Sequence, residues 1–440
     1  MGHQTAKSYR NLQRRLDAHA QGAPESPSLY RLLEILFTER EAELVSRLPF
    51  RFFTVEDAAR RWREDGAEAR RILDELADKG ILLDVVRGET QAYILAPTMA
   101  GFFEFSLMRL DDRFDKGVLS ELFHQYINEE DAFVRQIFGL KVPIDRVLVQ
   151  ERAIPPEDHQ VVLDYERASH VIRSATAISV GVCYCRHKMG HMGKACSAPL
   201  DVCLTLNNTA QSLIRHGIAR EISVDEGLAI LERCIKRGLV QIGDNVQQSV
   251  NWICNCCGCC CEAILAYKRL GFTSAIHSSY VVEHAGGDCA DCTACVKTCP
   301  TDAIIARSGG AKRVTLLRDR CFGCGVCVRY CKTKSLRLVR RSETSYVPVD
   351  SFERMVVGAI ETGKLPNYIF DNESLWTHTA LRRLLAVLME LSPVKRAAAN
   401  QQLRSRFVQA LSLTRYYSLF DDLYNAGRSV AYTPPSSRSR

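Results

Sequence analysis

The chain has 440 residues, 46% of them hydrophobic, and a formal net charge of +7. This apolar content is sufficient for packed cores and excludes a disordered protein, and the length predicts two to four domains. The N-terminal segment MGHQTAKSYRNLQRR contains no apolar signal region, and no apolar run approaches the length of a membrane span, so we expect a cytoplasmic protein.

The cysteines and the positive charge are both localised. All nineteen cysteines lie between Cys183 and Cys331. A secreted disulfide scaffold would be short and rich in cysteine throughout, so metal-bound thiolates are the better interpretation. Residues 381–440 carry ten Arg or Lys and three acidic residues. Any attraction to an acidic partner, or peripheral contact with an anionic membrane, is therefore predicted to involve this C-terminal tail.

Helical patterns are followed by extended ones near the N-terminus. Capping boxes begin at Thr38 and Thr54 and predict helix starts. Residues 67–79 have apolar positions at helical spacing, and residues 81–95 predict a β-hairpin. This order of elements predicts a winged-helix-like domain at residues 28–110.

Two four-cysteine runs give the strongest signal in the chain. CADCTACVKTCP begins at Cys289, and CFGCGVCVRYCK repeats its spacing 32 residues later, from Cys321. This is the bacterial two-cluster ferredoxin pattern, in which the fourth cysteine of each run binds the other cluster. We therefore predict two [4Fe–4S] clusters, the first held by Cys289, Cys292, Cys295 and Cys331 and the second by Cys321, Cys324, Cys327 and Cys299. Two zinc sites are the alternative, but zinc normally takes pairs of cysteines rather than two runs of four.

Ten further cysteines lie in the segments VCYCRHKMGHMGKACSAPLDVC and ICNCCGCCCE. Soft thiolates in such excess select iron–sulfur clusters, zinc or copper(I). We predict at least one additional iron–sulfur cluster built by both segments, with zinc and a redox-active thiol or persulfide loop as open alternatives. The exact ligands are left open among Cys183, Cys185, Cys196, Cys203, Cys254, Cys256, Cys257, Cys259, Cys260 and Cys261.

Local features of these segments refine that prediction. In the neighbouring pairs Cys256-Cys257 and Cys259-Cys260, the two side chains are expected to point in different directions. Such pairs can serve two metal centres, or two positions of one cluster, and they suit a tetrahedral zinc site poorly. A helix predicted over 262–270 would direct its positive N-terminal dipole at an anionic cluster. We expect His187 and His191 to provide hydrogen bonds and charge balance rather than metal ligation.

With these motifs, the chain resembles a group of 4Fe–4S dicluster ferredoxin proteins from anaerobic bacteria and archaea. The residues that carry the resemblance are VCYCRHK, CSAPLDVC, ICNCCGCCC and the two four-cysteine runs. The resemblance covers roughly residues 30–407 and implies electron transfer, with redox proteins as partners, but it implies no substrate.

The predicted architecture is an α+β multidomain chain. Its parts are a polar N-terminal segment (1–27), the winged-helix-like domain (28–110), a central α/β cysteine-rich iron–sulfur module (111–280), a ferredoxin-like two-cluster domain (281–345) and a helical C-terminal extension with a disordered basic tail (346–440).

We expect an electron-transfer protein or subunit that relays low-potential electrons to or from a partner oxidoreductase. One alternative is an oxidoreductase that binds substrate at an unusual cluster, although the sequence identifies no general acid or base for it. The other is an iron–sulfur redox-sensing regulator that uses the winged helix. Residues 67–79 have a net charge of −1, which disfavours nucleic acid and favours protein docking.

Overall fold

The computed structural model describes residues 5–159, 162–271, 276–286, 289–290, 292–307, 314–371 and 381–383. Within these ranges, no helix is both long enough and apolar enough to cross a membrane. Most of the predicted C-terminal extension, including its basic tail, lies outside the described residues.

The N-terminal part consists of five helices followed by a hairpin. Thr38 and Thr54 form the predicted capping boxes. The first helix was missed by the sequence analysis, which treated residues 1–27 as a polar segment, yet its Leu12 and Leu16 are buried. The elements are α1 (Lys7–Asp17), α2 (Pro27–Leu36), α3 (Glu39–Ser46), α4 (Val55–Trp62), α5 (Gly66–Asp78), β1 (Leu82–Arg87) and β2 (Thr90–Leu95).

The central part is built on a six-stranded sheet, preceded by three short helices. These helices are α6 (Phe103–Met108), α7 (Lys116–Phe123) and α8 (Asp131–Phe138). The strands and helices that follow are β3 (Asp145–Leu148), α9 (Ala168–Ser174), β4 (Ile178–Val182), α10 (Tyr184–His191), β5 (Asp201–Leu206), α11 (Asn207–Arg215), β6 (Arg220–Glu221), α12 (Val224–Lys236), β7 (Val240–Asp244), β8 (Trp252–Cys256) and α13 (Glu262–Leu270).

The strand order of this sheet is β3-β7-β8-β5-β4-β6, and every neighbouring pair is antiparallel. The expectation of a central α/β module is therefore wrong, and this part of the chain is α+β. Alternating strands and helices along a sequence do not specify strand direction. Here β4 and β7 each pair with the next long strand of the chain, which gives antiparallel neighbours.

The C-terminal part of the described chain contains the two four-cysteine runs, which have the same local structure. Its elements are β9 (Tyr280–His284), α14 (Ala294–Thr298), β10 (Ile304–Ala306), β11 (Val314–Leu316), α15 (Val326–Tyr330), β12 (Leu336–Arg340), α16 (Ser351–Glu361) and α17 (Leu365–Ile369). Strand β9 pairs with β12, and β10 pairs with β11, both antiparallel. Helices α14 and α15 lie at equivalent positions of the two four-cysteine runs.

Apolar packing continues between these parts. One hydrophobic cluster contains Leu12, Phe103, Ile264 and Val326, so it joins the N-terminal helices to both cysteine-containing regions. The ring of Tyr267 in α13 meets that of Phe322 edge-on at 4.7 Å. The cysteine-rich and ferredoxin-like regions are therefore held against each other by a shared core, and the proposed domain boundaries remain predictions.

Candidate iron–sulfur and thiolate centres

The two four-cysteine runs have the same local hydrogen bonds around their fourth cysteines. The Ala303 amide donates to Cys299 Sγ at 3.2 Å, and the Ser335 amide donates to Cys331 Sγ at 3.2 Å. Amide donors stabilise the negative charge of a thiolate, and hydrogen bonds to cluster sulfurs help to set reduction potentials. The repeat is thus one of chemical environment as well as spacing.

Backbone conformation shapes the same loops. Thr293 and Gly325, which precede α14 and α15, both have left-handed φ values, 51° and 84°. Gly323 has a φ of 68°, and a Cβ there would lie 2.0 Å from the Tyr280 carbonyl oxygen. Only glycine permits this approach of the cysteine loop to β9.

The predicted ligands of the second ferredoxin cluster lie around one space. Cys299, Cys321, Cys324 and Cys327 all line a single small cavity. Burial raises the pKa of Cys324 to about 12, as expected for a thiol in apolar surroundings before a metal binds it. Four thiols around one cavity, with amides directed at their sulfurs, fit an iron–sulfur cluster.

The predicted ligands of the first cluster are more exposed. Cys295 is buried, whereas Cys292 is exposed. Burial raises the pKa of Cys295, and the charges of Cys331 and Cys289 act in the same direction. Cys331, from the other run, is therefore close enough to influence Cys295, as the crossed ligand pattern requires.

The ten remaining predicted ligands separate into two sets. In the first set, here named the four-thiol group, all sulfurs lie within 4.8 Å of one another; its members are Cys196, Cys257, Cys259 and Cys260. In the second set, here named the six-thiol chain, each thiol lies close enough to the next to shift its pKa, in the order Cys183, Cys185, Cys261, Cys256, Cys254 and Cys203.

Strand geometry explains part of this division. Cys254 and Cys256 alternate along β8, so both side chains project from one face of the sheet. Leu204 pairs with Ile253 across β5 and β8, which brings Cys203 beside Cys254. Cys256 and Cys257 thus belong to different sets, as expected for a pair that serves two centres. Cys259 and Cys260 belong to the same set, so this pair would hold two positions of one site rather than serve two centres.

The six-thiol chain lines a cavity of about 110 Å³, together with Cys257 and Cys260 of the four-thiol group. Two carboxyl groups that the sequence analysis missed, Glu104 of α6 and Asp145 of β3, line the same cavity. Burial raises the pKa of each to about 7, which lowers their negative charge beside the thiols at neutral pH. Both precede the first cysteine in the chain, and no sequence motif connects them to it.

Charged side chains around the thiols are buried and paired. Lys188 and Glu262 form an ion pair with side-chain exposures of 0% and 1%, and Asn128 donates to Glu262 at 2.6 Å. Glu262 begins α13, directly after Cys261, at the start predicted for this helix. The pair therefore attaches α13 to α10 at the cysteine-rich site.

Arg186 contacts the four-thiol group and also lines the cavity of the six-thiol chain. It is 1% exposed, and its guanidinium donates to the Asn255 carbonyl at 3.3 Å and to Cys257 Sγ at 3.5 Å. A hydrogen bond from Cys260, followed by the effect of Arg186, lowers the pKa of Cys257 to about 4. The geometry thus favours a thiolate at Cys257 under physiological conditions.

The two histidines make hydrogen bonds to the backbone and to each other, and their role in charge balance remains a prediction. His187 Nδ1 lies 2.7 Å from the Leu107 carbonyl oxygen, and His191 Nε2 lies 3.1 Å from His187 Nε2. Cys234, a cysteine of α12 outside the predicted sites, is fully buried in an apolar cluster.

The cysteine-dense loop lies directly against the ferredoxin-like region. Gly258, between Cys257 and Cys259, approaches Pro300 so closely that a Cβ at 258 would lie 2.5 Å from the Pro300 carbonyl oxygen. Pro300 follows Cys299, a predicted ligand of the second ferredoxin cluster. The backbone of the thiol loop is thus in contact with the backbone of a predicted cluster loop.

Comparisons with known proteins agree with the ferredoxin-like repeat. Residues 288–336 match the 4Fe-4S dicluster domain family. The polyferredoxin protein MvhB of Methanothermus fervidus is 38% identical over 64 residues, which are 13% of this chain and 16% of that relative. The chain thus spans about a sixth of the length of this curated relative. No solved structure matches the chain. Residues 288–336 therefore form an iron–sulfur domain of ferredoxin type, which supports an electron-transfer role.

Proposed function

We propose that this protein is an electron-transfer protein or subunit that relays low-potential electrons to or from a partner oxidoreductase. The observation that carries the proposal is the contact between Gly258 and Pro300, because it places the cysteine-dense loop on the loop of a predicted ferredoxin ligand. Electrons that enter one region then have a short path to the other. The curated relative that matches 64 residues of the chain is named a polyferredoxin protein, which supports a role with redox partners.

In this proposal, two [4Fe–4S] clusters are held in the crossed pattern. Cys289, Cys292, Cys295 and Cys331 hold one, and Cys321, Cys324, Cys327 and Cys299 hold the other. When bound, such clusters accept and donate single electrons at low potential. The chain contributes amides directed at the sulfurs of Cys299 and Cys331, and apolar packing at Cys295 and Cys327 that limits the access of water.

We assign a third iron–sulfur cluster to the six-thiol chain. Six thiols exceed the four that a single metal ion or one cubane takes as terminal ligands, so a cluster with bridging or additional iron positions suits this set. The set lines a common cavity in which Arg186 offsets negative charge. This centre would be the entry or exit point for electrons at the end of the relay.

The N-terminal elements support a docking role for the predicted winged-helix-like domain. Arg71 of α5 pairs with Glu68 and Glu75 at 2.7 and 2.5 Å. Carboxylates thus surround an arginine that a DNA-binding helix would offer to phosphates. We therefore propose that this domain contacts a protein partner.

Metal and sulfide analysis of anaerobically purified protein tests the relay, together with electron paramagnetic resonance (EPR) of the dithionite-reduced form. We expect more than about 8 iron atoms per chain and the spectrum of two interacting reduced clusters. Cys324→Ala should remove about 4 iron atoms and their sulfide and abolish the interaction signal, leaving one ferredoxin-like cluster beside the third cluster. Cys183→Ala/Cys185→Ala should remove iron and sulfide but keep the interacting ferredoxin signals.

The control for these variants is Cys234→Ala, a buried cysteine outside the predicted sites, which should keep the full metal content. An EPR spectrum without reduced clusters in the wild type would contradict the relay. Iron and sulfide that stay unchanged in Cys183→Ala/Cys185→Ala would contradict the third cluster.

One observation favours an oxidoreductase as a second candidate. A mostly apolar cavity of about 640 Å³ adjoins the six-thiol cavity and shares Ala100, Ile144 and Trp252 with it. Its volume is in the range of small-molecule sites. If a substrate binds there, small apolar compounds should alter the EPR signal that Cys183→Ala/Cys185→Ala removes. A signal indifferent to every compound in a broad panel would favour the relay alone.

A further inference from the structure

The four-thiol group has the dimensions of a site for a single ion. Its four sulfurs lie within 4.8 Å of one another, with Cys196–Cys257 at 3.6 Å and Cys259–Cys260 at 3.7 Å. A tetrahedral ion with metal–sulfur bonds of about 2.3 Å requires sulfur–sulfur separations of about 3.8 Å. In a four-iron cluster each thiolate binds a different iron at a different corner, so the four sulfurs must lie farther apart.

The ferredoxin-like repeat provides an internal comparison. Among the described residues, no other group of three or more Cys, His, Asp or Glu side chains has all its ligand atoms within 4.8 Å of one another. The predicted ligands of both cubanes belong to these residues, so neither cubane set is as compact as the four-thiol group. The same chain therefore presents two kinds of cysteine set. The wide sets suit clusters, and the compact set suits one ion.

We propose that the four-thiol group binds one tetrahedral divalent ion, Zn²⁺ or Fe²⁺, without inorganic sulfide. This site is separate from the third cluster assigned to the six-thiol chain and does not depend on the relay. Binding requires no oxidant or reductant, because the ion forms four metal–sulfur bonds as the thiols release their protons to solvent.

Charge and hydrogen bonding around the group support this ion. Four thiolates and one divalent ion leave a net charge of −2, which one buried arginine reduces to −1. This arginine is Arg186, whose guanidinium lies 3.5 Å from Cys257 Sγ.

The position of the group suggests what the ion does. Cys196 comes from the segment after α10, whereas the other three thiols belong to the loop between β8 and α13. One ion therefore ties both segments together where the loop contacts Pro300. The ion thereby fixes the distance between the six-thiol chain and the ferredoxin-like region. Cys256 of the six-thiol chain is directly followed by Cys257 of the four-thiol group, in the loop that contacts Pro300.

The test compares two exposed cysteines in the full-length, anaerobically purified chain. Cys259 and Cys292 are both exposed, but we place them in different kinds of site. Zinc, iron and acid-labile sulfide are measured for Cys259→Ala, Cys292→Ala and the wild type. Cys259→Ala should lose about one metal ion per chain and no sulfide, whereas Cys292→Ala should lose iron and sulfide together. The metal that disappears in Cys259→Ala identifies the ion as zinc or iron.

Two further measurements keep the outcome clear. Cys196→Ala, on the other segment, should lose the same ion, and far-UV circular dichroism checks that each variant is folded. Reconstitution with Co²⁺ should give thiolate-to-cobalt charge-transfer absorption in the wild type and a reduced band in both variants. Sulfide lost in step with iron from Cys259→Ala would overturn the single-ion site, as would an unchanged metal content. Absence of reduced-cluster EPR signals in the wild type would count against the relay and leave this comparison intact.

Discussion

Replacing Gly258 by alanine tests the contact between the thiol loop and the ferredoxin-like region. An alanine Cβ would lie 2.5 Å from the Pro300 carbonyl oxygen and 3.0 Å from its Cα, whereas ordinary contact begins at 3.4 Å. The two backbones must therefore separate by about 0.9 Å. Gly258 lacks the positive φ that would strain alanine, so the effect comes from this contact alone. Overpacking of this kind costs about 1–3 kcal/mol of unfolding free energy.

The assay is anaerobic chemical unfolding of Gly258→Ala, combined with EPR of the reduced protein. We expect the stability loss and a weaker magnetic interaction between the ferredoxin-like clusters and the cysteine-rich centre. Gly190→Ala is the matched control, because Gly190 belongs to the same module and its Cβ would meet no atom within 4 Å. If Gly258→Ala and Gly190→Ala unfold alike and give the same spectrum, the argument from this contact is refuted.

Three further predictions concern ligand crossing, the buried ion pair and pH. The double variant Cys299→Ala/Cys324→Ala should lose one cubane, because both cysteines are predicted to bind the same cluster. The double variant Cys299→Ala/Cys292→Ala should lose both cubanes. Equal iron losses from the two double variants would disprove the crossed ligands. Lys188→Met leaves the carboxylate of Glu262 buried without its ion-pair partner. Anaerobic denaturation should therefore show a loss of about 3–5 kcal/mol in the free energy of unfolding. A loss near zero would show that the ion pair is not maintained. Burial alone would lower the pKa of His216, but hydrogen bonds with Asp84 and Asp78 raise it. The protonated form of His216 therefore stabilises the fold below a pH of about 6.5. This contribution disappears as the pH rises through the raised pKa of the folded state. Thermal unfolding should therefore show a loss of stability as the pH rises above about 6.5 that is smaller in His216→Asn, and parallel pH profiles would contradict this.

Local signals in the sequence were enough where the chemistry is local. The spacing within each four-cysteine run places three thiols in one loop, so the runs are recognisable without tertiary information, and the dicluster family match at 288–336 agrees with them. The capping boxes at Thr38 and Thr54 and the helix that begins at Glu262 follow the same logic, because their hydrogen bonds join residues within one turn. Helix α1 was missed because its first turn has no side-chain cap and its polar residues mask three buried apolar or aromatic positions.

The division of the other ten cysteines could be obtained only from the tertiary structure. Strand alternation places Cys254 and Cys256 on one face of the sheet. The neighbour of Cys254 on the next strand is Cys203, which lies 51 residues earlier in the chain. Only the antiparallel pairing of β5 with β8 brings Cys203 and Cys254 together. The buried carboxyls of Glu104 and Asp145 reach the same cavity from α6 and β3, which no local pattern predicts.

The sequence by itself determined that the protein has a ferredoxin-type repeat and a second population of thiols, because ligand type and short spacing are written along the chain. The tertiary structure decided that these thiols form one compact group and one extended chain, and that their loop lies on Pro300. The physical reason is that both features depend on contacts between residues far apart in sequence, whose positions are set by sheet register and core packing.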